Sequence, residues 1–277
     1  MKPTRQRPRP AARPASRPTS RPAAPTRTPA KKQDGQRVTL PRALSKLGYC
    51  SRTQAEDLIR NGHVSVGGKT ITDTEAWIDL ATAKISVDGQ PVTAEKFVYL
   101  MLNKPRGLVT TRNDPQGRPT VYDCLTQYDN AHLSPVGRLD KASEGLLLFS
   151  NDTQFANALL DPKTHVAKTY HVQIDQLPDA ATLEALRKGV THDGEFLSAR
   201  RVELLREGDK NAWLEIELDE GKNRQIRRML ESLDISTLRL VRVAIGDLML
   251  GELEKGAVRA LTDAELAGLK RQSGMGR

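Results

Sequence analysis

Pro135-Val136-Gly137-Arg138-Leu139-Asp140-Lys141-Ala142-Ser143-Glu144-Gly145-Leu146-Leu147-Leu148 sets charged residues between two glycines and then runs straight into an apolar strand. Glycine lets the chain turn sharply, so the Asp140 carboxylate is expected beside a rigid, buried element. Working outward, Phe97 to Leu102 reads as another buried strand, entering Asn103-Lys104-Pro105-Arg106-Gly107, where proline and glycine force a loop. Tyr170 to Ile174 and Leu214 to Leu218 alternate with period two, and Leu238 to Ile245 is a β-branched run. Phe155, Ala156, Leu159 and Leu160 line one side of a helix before Pro162; Ala181 to Lys188 is a helix ended by Gly189. Thr262-Asp263-Ala264-Glu265 caps a last helix. Strands outnumber helices without a regular βαβ rhythm, which predicts an α+β fold around a mainly antiparallel sheet.

Towards the N-terminus the period changes. Leu40, Ala43, Leu44 and Leu47 fall at i, i+3, i+4 and i+7, a short amphipathic helix closed by Gly48. Ser51-Arg52-Thr53-Gln54 has capping-box spacing, Ala55, Leu58 and Ile59 form the buried stripe, and Asn61-Gly62 ends the second helix. Val64 and Val66 then alternate with polar residues, Gly67-Gly68 turns the chain, and Lys84 to Val87 leads into a second turn at Asp88-Gly89. Two helices followed by small hairpins make a compact module over residues 38–93.

The chain has 277 residues and a formal charge of +9, but the charge is unevenly spread. Residues 1–37 hold eleven basic side chains, one acid and half of the 16 prolines, so this stretch carries +10 and the rest −1. Such a stretch has too little apolar content to fold. It is expected to be a disordered basic arm that scans RNA phosphates or merely solubilises the chain; proline spacing argues against a helical transit peptide. No apolar run is long enough to span a membrane, and two distant cysteines suit a reducing compartment. A soluble, cytoplasmic protein is expected. The five histidines show no HxxxH or HxH spacing, so no metal centre is expected.

Three segments carry candidate chemistry. A partly desolvated Asp140 can act as nucleophile or base, or it is a loop aspartate capping a turn. Tyr170, in Ala167-Lys168-Thr169-Tyr170-His171-Val172, can stack on a base and move a proton, or it is a half-buried strand tyrosine. In Glu220-Gly221-Lys222-Asn223-Arg224-Gln225-Ile226-Arg227-Arg228-Met229-Leu230, a helix would face Ile226, Met229 and Leu230 inward and project Arg224, Arg227 and Arg228. That cluster suits phosphates or a carboxylate, or it is a solvated basic face.

The ordered strings resemble two known families. Leu44-Ser45-Lys46-Leu47-Gly48-Tyr49-Cys50-Ser51-Arg52, continuing to Gly62-His63-Val64-Ser65-Val66-Gly67-Gly68-Lys69, resembles the S4 RNA-binding domain. Gly137-Arg138-Leu139-Asp140 with Ser143 and Gly145-Leu146-Leu147, then Lys168-Thr169-Tyr170, then Gly221 to Met229, resemble the motifs of the ribosomal pseudouridine synthases. The likeness is to the branch holding the small-subunit enzyme and the B, E and F types that act on large-subunit RNA. Asn103 to Gly107 and Asn113 to Thr120 resemble that branch as well.

Composition gives a disordered arm at 1–37; the resemblance implies an S4-like RNA-binding domain at 38–93 and a mainly antiparallel-sheet synthase domain at 94–272, which leaves 273–277 as an expected disordered end. The resemblance implies an enzyme that isomerises one uridine in ribosomal RNA or a pre-ribosomal particle, large-subunit RNA favoured, with no cofactor and no metal; with no oligomer signal in the sequence, a monomer is expected. Asp140 would be the essential carboxylate, Tyr170 the active-site tyrosine and Arg227 the basic residue that pairs with the aspartate. Arg138, Lys168, Lys222, Asn223, Arg224, Gln225 and Arg228 would contact RNA around the pocket, and Arg42, Lys46, Arg52 and Arg60, with Lys69, on the S4 face. Two other readings compete: an RNA-binding assembly factor without activity, and a glycosidase, for which Glu144 is the nearest second carboxylic acid.

Overall fold

The computed structural model describes residues 37–93, 96–128 and 132–276; of the arm expected at 1–37, residues 1–36 lie outside them. In chain order the first module contains β1 (Arg37–Thr39), α1 (Leu40–Lys46), α2 (Arg52–Arg60), β2 (Val64–Val66), β3 (Lys69–Thr70), β4 (Trp77–Asp79), β5 (Ile85–Val87) and β6 (Gln90–Pro91). Arg37, assigned by composition to the arm, instead opens β1, paired with Asp79 of β4. The two helices end alike. After α1, Gly48 at φ 79° brings Tyr49 N–H to the Leu44 carbonyl at 3.1 Å and its own N–H to Ser45 at 3.2 Å. After α2, Gly62 at φ 77° repeats the pattern with Leu58 and Ile59, both at 3.0 Å. These are Schellman closures, which only a residue at ease with positive φ completes cheaply. Ser51 and Gln54 cap α2 reciprocally. Leu40, Leu44, Ile59 and Val64 are fully buried between these helices and the β2–β5 strands.

The second module holds β7 (Tyr99–Lys104), β8 (Ser134–Val136), β9 (Glu144–Ser150), α3 (Thr153–Leu160), β10 (Lys168–Ile174), α4 (Ala180–Lys188), β11 (Val190–His192), β12 (Glu195–Leu197), β13 (Arg201–Glu207), β14 (Ala212–Leu218), α5 (Gln225–Glu231), β15 (Thr237–Ile245), β16 (Leu248–Met249), β17 (Val258–Ala260) and α6 (Asp263–Gln272). Nine of these strands form one sheet with backbone order β13-β14-β10-β15-β9-β7-β17; β8 pairs with β9 and β16 with β15. Its pairs are antiparallel except at the centre, where β9 and β15 run parallel, Gly145 beside Arg242. The two strands approach so closely there that a Cβ on Gly145, at φ 100°, would strike the Arg242 backbone.

β9 is covered on both faces. Leu146 and Leu148 join Phe155 and Leu159 of α3 and Leu269 of α6, whereas Leu147 and Phe149 join Leu100, Leu102, Val121 and Leu139. This explains why the strand reads as an unbroken apolar run. Burying each such side chain contributes roughly 1.5–3 kcal/mol. α4 and α5 cover another part of the sheet through Leu186, Ile226, Met229 and Leu230.

Two expectations move. The strand expected at Phe97–Leu102 starts at Tyr99 and ends at Lys104, while Phe97 is exposed. Residues 273–276, expected to be a disordered end, close α6: Met275 N–H bonds Lys270 at 2.8 Å and Met275 packs on the α3–α6 core.

Candidate active site

A cavity of about 460 Å³ opens where the β8–β9 loop faces β10, β15 and the segment between β14 and α5. Asp140 and Arg138 come from the loop, Lys168 and Tyr170 from β10, Arg242 from β15, and Glu220 to Arg227 from the last segment. The three chemistry-bearing stretches of the sequence therefore meet in one place. Tyr170 is half-buried and touches two core clusters, so its ring is a fixed wall of the cavity.

The loop that carries Asp140 is held along its whole length. Thr110 Oγ1 donates to the Leu139 carbonyl at 2.7 Å and Ser143 N–H to Asp140 at 3.0 Å. Gly107 N–H donates to Lys141 at 2.8 Å, Arg227 Nη2 to Ala142 at 3.4 Å, and Lys104 Nζ to Ser143 at 2.8 Å. Five successive carbonyls thus have donors, four of them from outside the loop, and Leu139 is buried beneath it. The Asn103–Gly107 string is the main cradle. Lys104, which sequence reasoning placed in a loop and gave no role, is completely buried at the end of β7. A lysine directly after an apolar strand is the signal that could have marked it.

The cavity has two carboxylates on its wall. Glu220 is taken by Lys222 at 3.0 Å and by the Gln225 amide at 3.3 Å. Asp140 makes no side-chain ion pair or hydrogen bond among the described residues. Cations surround it. Burial pushes the Lys104 ammonium down to about 8, with Asp140 pulling the other way. Burial likewise lowers Arg227, helped by repulsion from Arg224 and opposed by the attraction of Asp140. Burial and then repulsion from Arg242 lower Lys168. Asp140 and Arg227 therefore attract each other without the close ion pair the sequence suggested. The Arg227 guanidinium instead reaches the Ala142 carbonyl, and its buried Nε has no partner.

Residues 98–232 match the family model described as RNA pseudouridylate synthase, and residues 35–75 match the S4 domain. A large-subunit pseudouridine synthase B of Bacillus subtilis is 34% identical over 83% of this chain and 95% of its own. The chain belongs to the RNA pseudouridylate synthase family. Within it, an RNA pseudouridine synthase of Aquifex aeolicus is 33% identical over 86% of this chain and 96% of that one. A large-subunit synthase B of Salmonella typhimurium is 35% identical over 82% and 79%. A crystal structure titled pseudouridylate synthase covers 84% of this chain and 99% of its own, with a TM-score of 0.60 and 30% identity. This chain is a pseudouridine synthase with an S4 domain ahead of its α+β synthase domain.

Around the synthase pocket the expected RNA-contact residues fall into two groups. Arg138, Asn223 and Arg224 are exposed at the rim, and Lys168 is half-buried inside. Arg228 does not project freely as expected; it bonds Glu195 at 2.8 Å with its side chain only 16% exposed. Lys222 is committed to Glu220 and the Phe196 carbonyl. Gln225 is buried, its amide spent on Ser198 and Glu220 and on the Lys222 N–H, so it braces the turn instead of facing RNA. The helix begins only at Gln225, after Arg224 at φ 49°. On the S4 domain, Arg42 and Lys46 sit one turn apart on α1 and Arg52 starts α2, all without an ion pair among the described residues. Lys69 is exposed on β3. Arg60 is exposed but bonds Glu56 at 3.0 Å and Asp57 at 3.4 Å, which spends much of its charge. Glu144, the second carboxylic acid of the glycosidase reading, is buried and bound by Arg239 at 3.1 Å and Lys255 at 2.6 Å.

Proposed function

We infer that this synthase isomerises a specific uridine in ribosomal RNA, large-subunit RNA in preference to small, with Asp140 as the carboxylate that reacts. The observation carrying this reading is that Asp140 is the pocket carboxylate left without a partner, on a loop whose five carbonyls are all held. The large-subunit preference follows the names of the Bacillus and Salmonella relatives. A uridine in folded RNA must leave its stack before its N1–C1′ bond is reachable, at a cost of a few kcal/mol. Stacking on Tyr170 returns roughly 1–3 kcal/mol of that. Asp140 then attacks C1′, removes a sugar proton or adds to the base; each route needs an anion held still, which suits a rigid loop flanked by Lys104 and Arg227. Arg227 keeps its charge despite burial because guanidinium is so basic, and it positions the loop through Ala142.

Hydrolysis by paired carboxylic acids fits the pocket less well, because Glu144 is occupied by Arg239 and Lys255. The test is tritium release from RNA carrying 5-tritiated uridine. Asp140→Asn should abolish release and leave RNA affinity nearly unchanged; retained turnover would remove Asp140 from the chemistry. Mapping pseudouridines by carbodiimide primer extension in ribosomal RNA from deletion and parent strains would identify the target nucleotide.

A further inference from the structure

Arg242 lies in the middle of β15, where the sequence reads as a β-branched strand and gives it no role. It is only 5% exposed, yet it lines the cavity. Nε donates to the Leu146 carbonyl at 2.7 Å, and Nη2 is buried with no hydrogen-bond partner. It has no ion pair among the described residues, because the neighbouring Glu144 is held by Arg239 and Lys255. A buried guanidinium without an anion is costly, so a fold that keeps one at a pocket floor points to an anion supplied by the substrate.

Position selects which part of the nucleotide supplies it. Arg242 sits opposite Tyr170 in the β10–β15 register, and residues so paired project on the same face of a sheet. A base stacked on the Tyr170 ring would therefore present its edge to Arg242. Phosphates belong further out, beside the exposed Arg138 and Arg224 at the rim. We propose that Arg242 is a further catalytic residue, donating to a carbonyl oxygen of the flipped uracil and stabilising the negative charge the base carries during isomerisation. This rests on the reading that the Asp140 pocket isomerises uridine.

The charge arises whichever way Asp140 acts. When the N1–C1′ bond breaks, its electron pair stays on N1 and is shared with O2 and O4, while C1′ bonds to the carboxylate or becomes part of a glycal by losing the C2′ proton to it. Addition of the carboxylate to C6 places a pair on O4 instead. Once N1–C1′ is broken by any of these routes, C5 bonds to C1′, the C5 proton departs, N1 takes up a proton, and the carboxylate is released, returning its proton to C2′ where a glycal had formed. Preorganised donors aimed at developing oxyanions act strongly in water-poor sites.

The experiment compares single-turnover loss of the N-glycoside in large-subunit RNA transcripts made with uridine or with 5-fluorouridine, using saturating full-length enzyme. Fluorine withdraws electron density and stabilises the base anion by itself. Arg242→Gln should slow uridine turnover roughly hundredfold but 5-fluorouridine tenfold or less, with RNA affinity unchanged; Arg242→Lys should fall between. The ratio of the two rates within one variant cancels any misfolded fraction. Equal losses on both substrates, or weakened RNA binding with full turnover at saturation, would overturn the role of Arg242 while leaving the pseudouridine reading intact. Turnover by Asp140→Asn would instead overturn the reading on which it rests.

Discussion

Replacing Lys104 by methionine should leave the protein folded and its pocket idle. Lys104 is fully buried, and its ammonium donates to Ser143 at 2.8 Å and Pro105 at 3.1 Å. Methionine of similar length forfeits both hydrogen bonds, about 1 kcal/mol each net, and strands the Ser143 carbonyl, roughly another 1–3 kcal/mol. Against this stands the cost of keeping the lysine charged. Burial lowers it from 10.5 to about 8, and at about 1.4 kcal/mol per unit that is roughly 3 kcal/mol, all of it relieved in the variant. The two sides nearly cancel, so the unfolding free energy near neutral pH should shift by less than about 2 kcal/mol. Activity has no such compensation: with the brace at Ser143 gone the C-terminal end of the Asp140 loop shifts, and a displacement near 1 Å costs about a hundredfold in rate.

Calorimetry and single-turnover tritium release on the same preparations separate the two effects. Stability also acquires a pH signature. Between about 8 and 10.5 the unfolded lysine holds its proton and the folded one does not, so the unfolded state binds more protons and unfolding free energy rises with pH. The wild type should gain on Lys104→Met across that window and run parallel to it below. A variant that unfolds far more easily yet keeps the full rate per folded molecule would refute the cradle argument.

Salt dependence of RNA binding should identify the S4 cations that matter: removing Arg42, Lys46 and Arg52 together should flatten the log–log slope by about 2, at roughly 0.7 per phosphate contact, whereas Arg60→Gln, already paired with Glu56 and Asp57, should change it little; equal effects would mean the helix face is wrongly chosen. Gly145→Ala combines an unfavourable φ of 100° with collision against the Arg242 backbone, so it should lose roughly 3 kcal/mol in urea unfolding. Glu144→Gln weakens the charged hydrogen bonds from Arg239 and Lys255 and should cost about 1–3 kcal/mol, less than breaking a wholly buried pair because those cations are 39% and 59% exposed. Burial alone would raise the Glu144 carboxyl, but hydrogen bonds from Arg239 and Lys255 outweigh it and hold the group below its ordinary 4.5. Its contribution is therefore present above 4.5 and lost as pH falls through the lower folded value, so acid unfolding should be shallower in the variant.

Much of this was legible because it is local. Gly48, Gly62, Ser51 and Thr262 set helix ends through partners three to five residues away, and all four do what their spacing announced. The Asp140 loop was legible as glycine-bracketed chemistry, although Gly145 lies inside β9. The missed features depend on distant partners. Lys104 gains meaning from Ser143, Glu144 from Arg239 and Lys255, Arg228 from Glu195, and Gln225 from Ser198. Local periodicity does not report those pairings, so a buried lysine looked like a loop residue and a buried glutamate like a free acid. Arg242 was hidden by its own strand, where Arg239 and Arg242 interrupt an apolar run and read as ordinary alternation.

The parallel joint between β9 and β15 also bears on how the molecule comes into being. The guanidinium of Arg242 and the Leu146 carbonyl it grips are 96 positions apart, and no short connection can bring parallel neighbours together. While the chain is being synthesised, the Asp140 loop emerges long before the wall that completes its cavity, and such long-range pairing is slow to form. A nascent chain stopped before β15 would carry a finished S4 domain and an open, half-walled site. It would be able to settle on RNA but not to rearrange a base, so commitment to chemistry coincides with completion of the synthase domain.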